Sequence, residues 1–178
     1  MLNTKLILRV LLGFILMNLP LCALAQSTRQ VAFPEITPPY FVDRYGLAKS
    51  SKNVSKFGFL HPKRGNVEVK GPFSVRDFRH GDLRIVAVFN LPSLKLAGVK
   101  YSLNRSWTPE QIQAALSALG TGWKPYDGNI AFKAWQTQDG TIAISILNSL
   151  EIQSASVVEA IAKEVAAKEA ARKAVPKF

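Results

Sequence analysis

Between Asp82 and Ile152 the apolar residues change their spacing twice, from two to about 3.6 and back to two. That order confines the chain to a sheet with helices packed on it. Leu83, Ile85, Ala87 and Phe89 fall on one side of a strand while Arg84, Val86 and Val88 fall on the other, so this segment reads as a largely buried strand. Asn90 to Ser93 turn the chain, and a second strand follows through Leu94, Leu96, Val99, Tyr101 and Leu103. Its alternation slips across Ala97-Gly98, where a β-bulge is expected because glycine tolerates the kinked backbone.

A helix start comes next. Thr108 can cap, Pro109 suits the first helical position, and Gln111 stands where a capping-box partner reaches back. Ile112, Ala115, Leu116 and Leu119 then form one apolar face, and Gly120 provides the stop. Two further alternating runs, Ile130 to Thr137 and Thr141 to Leu147, flank Gln138-Asp139-Gly140. With Asp139-Gly140 as a two-residue turn, Gln138 faces Thr141 and Trp135 faces Ile144, which places Trp135 on a core face with Ile142, Ile144 and Ile146. A last helix is expected from Ser156, boxed with Glu159, through Val158, Ile161, Ala162 and Val165 toward Pro176. Beyond Val165 its apolar stripe gives way to the acid-first pairs Glu159/Lys163, Glu164/Lys168 and Glu169/Lys173.

These elements predict an α+β fold: a small antiparallel sheet in ββα-ββα order with helices on one face, a loop-rich basic N-terminal arm and a charged C-terminal helix. Residues 26–81 form the arm, in which Pro34, Pro38-Pro39, Pro62 and Pro72 are expected to keep strands short. Residues 82–153 form the core, and 154–178 the helix that completes the single domain and extends into solvent.

The first 25 residues read as a signal peptide. Lys5 and Arg9 precede an apolar run from Val10 to Leu21, and Ala23-Leu24-Ala25 is a small-x-small cleavage site before Gln26. The expected product is exported, periplasmic or secreted, with a form lipid-anchored at Cys22 as the second reading. Cleavage removes the only cysteine, so no disulfide can hold the product together. A chain of this length can bury about two-thirds of its unfolded surface, enough for one core. Loss of Lys5 and Arg9 with the leader lowers the formal charge from +11 to +9, which favours anionic partners.

Catalytic signals are sparse. The chain has no Gly-x-Ser-x-Gly elbow, no phosphate-binding glycine loop and no His-Glu-x-x-His zinc motif. Of its two histidines, His80 lies two residues from Asp82, and that pair is the basis for an alternative reading as a small secreted hydrolase. No partner nucleophile can be named, and neither a metal nor any other cofactor is expected.

Binding signals are stronger. Lys49, Lys52, Lys56, Lys63 and Arg64 are interleaved with Phe57 and Phe59, and Trp123 and Tyr126 flank Lys124 after the first core helix. Basic residues among aromatics suit an anionic polymer or membrane surface, while aromatic side chains stack on flat ligands. The expectation is a non-enzymatic binding module that engages anionic envelope polymers or lipid surfaces through these residues. A protein partner for the C-terminal helix is a further expectation, and specific nucleic-acid binding is not expected of an exported chain.

Overall fold

Prolines 38 and 39 do not interrupt the chain; they open a helix. The computed structural model describes residues 33–126 and 132–174, so the leader with Cys22, the start of the run from Ile130, and Pro176 lie outside the described residues. After a 3-10 turn at Phe33–Glu35, α1 (Pro38–Tyr45) takes its two prolines in the first turn, where a missing N–H costs nothing. β1 (Ser50–His61) and β2 (Gly65–His80) follow as a hairpin. Pro62 sits in its turn. Pro72 sits with Gly71 across from Ser55, where the pairing slips between Val54 and Lys56, so it falls at a bulge that does not need its N–H. The stretch read as a loop-rich arm with short strands therefore holds the two longest strands among the described residues.

β3 (Leu83–Asn90) and β4 (Leu96–Ser102) lead to α2 (Pro109–Ala118), then to β5 (Lys124–Pro125), β6 (Lys133–Gln136), β7 (Ile142–Ile146), β8 (Ser149–Gln153) and α3 (Ala155–Ala174). The strands form one sheet in the order β1-β2-β3-β4-β8-β7-β6-β5, with every neighbouring pair antiparallel. Instead of a small sheet in ββα-ββα order there are thus, among the described residues, eight strands, two four-strand meanders joined at β4 and β8. β8 escapes the sequence reading because its turn is Leu147-Asn148, with Ile146 paired to Ser149 and Leu147 at φ 50. Leucine is not a residue that turn chemistry suggests there.

Alternation along the strands builds two cores. On one face Ile85, Phe89, Leu150 and Ile152 pack with Phe41 of α1 and Leu116 of α2. Phe41 stacks on Phe78 at 5.7 Å and meets Phe89 edge-on at 5.8 Å. On the other face Phe73, Val88 and Ala97 pack with Val157 and Ile161 of α3 and with Phe59. The helices accordingly cover both faces, not one.

The expected bulge is present: Val88 pairs with Gly98 and Phe89 with Leu96, leaving Ala97 extra. So is the capping box of α2, with the Gln111 N–H donating to Thr108 Oγ1 at 3.3 Å and the Thr108 N–H to Gln111 Oε1 at 3.1 Å. Two local readings shift. The hairpin loop has three residues, Thr137 pairing with Thr141 and Gly140 taking φ 87, so Trp135 faces Ala143 and not Ile144. That one-residue difference sends Trp135 to the first core and leaves Ala134, Ile142 and Ile144 together on the α3 side. The α3 cap is Ser154, whose Oγ and C=O accept the Val157 N–H, and Ser156 lies inside the first turn.

The far end of the β1–β2 hairpin folds over the second face. A flat sheet would hold β1 and β8 roughly 19 Å apart, four strand spacings. Yet the Leu60 N–H donates to Glu151 Oε1 of β8 at 2.7 Å, and Gln153 Nε2 donates to the Leu60 carbonyl at 2.7 Å. Gly98 makes room, since a Cβ there would lie 2.8 Å from the Phe59 ring. The fold-over brings the hairpin turn beside α3, where Arg64 pairs with Glu169. Of the three expected acid-first pairs, Glu159 meets Lys163 at 2.7 Å, whereas Glu169 turns to the hairpin.

Candidate binding site

The hairpin turn is organised by its own histidine. His61 Nδ1 accepts the N–H groups of Lys63 at 3.1 Å and Arg64 at 3.0 Å, an imidazole doing what a turn aspartate usually does. Burial holds the His61 pKa below its ordinary value, with the Arg64 and Lys63 charges acting in the same direction. The ring is therefore neutral at pH 7, and because Nδ1 accepts, the proton sits on Nε2 as a donor.

Beneath this turn lies a cleft of about 240 Å³ between the hairpin tip, β7 and α3. Leu60, Pro62, Ile142, Val158, Ile161 and Ala162 supply its apolar wall. His61, Lys63, Tyr126 and Gln153 are its polar residues, and among the described residues no acidic one lines it. Tyr126 is placed by its own N–H, which donates to the Ala134 carbonyl at 2.9 Å. The cleft is smaller than the roughly 300–1,000 Å³ typical of pockets for drug-sized ligands, so it suits a small apolar moiety.

Behind the cleft, Glu151 and Gln153 are buried at 7% and 1% exposure. Gln153 Nε2 donates to Glu151 Oε1 at 2.7 Å as well as to the Leu60 carbonyl, so the two side chains serve Leu60 as a neighbouring strand would. Burial raises the Glu151 pKa, against the opposing pull of the Leu60 N–H, Gln153 and the Lys100 charge.

A more open groove of about 660 Å³, lined in part by Thr121, Lys124, Pro125 and Gln136, adjoins the cleft at Tyr126. Trp123 is engaged elsewhere: its indole N–H donates to the Leu116 carbonyl at 2.9 Å and its ring packs on the first core.

The five basic candidates separate into two groups. Lys63 and Arg64 share the hairpin turn, and Lys56 is on the same half of the hairpin, opposite Lys70 and 3.0 Å from Glu68. Lys49 and Lys52 lie toward the other end of β1, with Lys56 between them and the turn, and the stretch from Lys52 to His61 spans roughly 30 Å of contour. That is several times the screening length of about 8 Å at physiological ionic strength. His80 and Asp82 occupy the exposed turn between β2 and β3, with the His80 ring edge-on to Tyr45 at 6.2 Å. His61 and His80 stand at opposite ends of β2, and among the described residues no three His, Cys, Asp or Glu side chains are grouped to hold a metal ion.

The residues overlooked in the sequence are Leu60, Glu151 and Gln153, while His61 stands there only as one of two candidate imidazoles and not as the organiser of a turn. Only Glu151 leaves a trace there, as a lone charge inside the apolar run Leu150 to Ile152. No protein family, curated protein or solved structure matches this chain. Among the described residues no helix is long and apolar enough to cross a membrane.

Proposed function

We propose that this chain is an exported, non-enzymatic binding module that engages anionic polymers or anionic lipid surfaces through the tip of its β1–β2 hairpin. Export rests on the leader pattern of residues 1–25. The observation that supports the binding reading is the hairpin turn, where Lys63 and Arg64 are exposed side by side at a cleft with no acidic lining among the described residues. Cationic side chains within one screening length act together on a polyanion, and their effect falls as salt rises.

The test is retention on heparin and on phosphatidylglycerol vesicles across a salt series. Reversing Lys56, Lys63 and Lys70 to glutamate is expected to abolish retention, whereas reversing Lys49 and Lys52 leaves most of it. Neither set should move the urea midpoint much, because exposed charges contribute at most about 1 kcal/mol each. Equal retention of parent and tip-reversed chains at low salt would overturn the reading.

A further inference from the structure

We infer that the cleft beneath the hairpin turn is a binding site for a single-chain anionic amphiphile, a medium-chain carboxylate whose tail lies against Leu60, Ile142, Val158 and Ile161 and whose head group meets Lys63. This inference rests on the anionic-ligand reading above and names the ligand class of the same region. Three observations carry it.

The first is the division of the cleft into two chemistries. Its wall is aliphatic along the hairpin, β7 and α3, while its lining also includes the polar residues Lys63, Tyr126 and His61, the last with a free ring nitrogen that is a donor because Nδ1 is taken by the turn. Donors and a positive charge beside an apolar trough match a carboxylate on an alkyl chain. The second is the absence of competition. Among the described residues, two carboxylates of this region are already engaged, Glu151 with Leu60 and Gln153, and Glu169 with Arg64. Lys63 makes no ion pair with any described residue, so its charge is available to a ligand. The third is size. About 240 Å³ admits a short alkyl segment and not a sugar polymer, which distinguishes the trough from the surface used for polyanions.

The experiment is calorimetric titration of the mature chain with hexanoate, octanoate and octanol below their aggregation concentrations. Affinity is expected to rise about fourfold per methylene from hexanoate to octanoate, as burial of an alkyl chain requires. Octanol should bind more weakly than octanoate, and Lys63→Ala should cost octanoate about tenfold, the weight of one charge-assisted contact. Ala162→Trp puts a large side chain into the trough from an exposed helix position, and it should remove octanoate binding while heparin retention and the thermal midpoint stay as in the parent. Octanoate binding that survives Ala162→Trp, or a folded parent that binds no octanoate, overturns the inference. Loss of heparin retention in the parent with octanoate binding intact would instead overturn the polyanion reading and leave the trough assignment standing.

Discussion

Glu151 is a carboxylate kept inside a protein by two hydrogen bonds, with Lys100 as its cross-strand neighbour and no salt bridge among the described residues. Because burial outweighs those bonds, its folded-state pKa lies above the ordinary carboxylate value, so the folded chain holds this proton more tightly than the unfolded one. Its contribution to stability is then greatest at pH values below the ordinary carboxylate range and declines as pH rises through the raised value. Glu151→Gln keeps an oxygen for the Leu60 N–H without the charge. Relative to the parent it should gain stability as pH rises above the ordinary carboxylate range in urea titrations, and a constant difference would mean that Glu151 carries no raised pKa. Glu151→Ala leaves the Leu60 N–H without its acceptor and should cost about 1–3 kcal/mol. None of this was legible from the residue alone. A glutamate between Leu150 and Ile152 marks a buried charge, but its partner is a backbone group 91 positions away, in a strand four places across the sheet.

Elements whose causes lie within about ten residues could be read directly. The α2 box needs only Thr108, Pro109 and Gln111, and the β4 bulge needs only the slip at Ala97. The β6–β7 hairpin shows where local reading fails, because Asp-Gly serves both a two-residue turn and a three-residue loop with glycine last. Side chains on the two faces decide between them. Ala134 fits beside Ile142 and Ile144 under the α3 side, and the larger Trp135 goes to the first core. Ile144→Ala should therefore cost about 2–5 kcal/mol from a fully buried position, while Thr108→Ala should cost about 1 kcal/mol through the lost cap. Urea midpoints separate the two, and equal, small losses would place Ile144 outside the core. The long β1–β2 hairpin was illegible for the opposite reason. Its prolines look like breakers in sequence, and only the turn and the bulge that accept them reveal a strand pair.

At the scale of the molecule, the hairpin and α3 form one layer over a sheet to which they are tied by Phe59, Leu60, Val157 and Ile161. The last turns of α3 add little to that layer, since the residues from Ala166 to Ala174 are exposed. Deleting Glu169 to Phe178 should lower helix content by circular dichroism and move stability by no more than about 1 kcal/mol, the loss of one exposed ion pair. A large fall would place the distal helix against the body. Glu169→Gln frees Arg64 without changing the helix, so it should strengthen heparin retention, and weaker retention would count against the hairpin tip as the cationic surface. The fold-over of β1 has one more consequence. Among the described residues the sheet ends at β1 and β5. β5 is two residues long and one of them is Pro125, while β1 carries lysines, a bulge, and a Leu60 backbone already satisfied from within. The lysines and bulge of β1 and the short, proline-bearing β5 are features that disfavour pairing of either border with another chain.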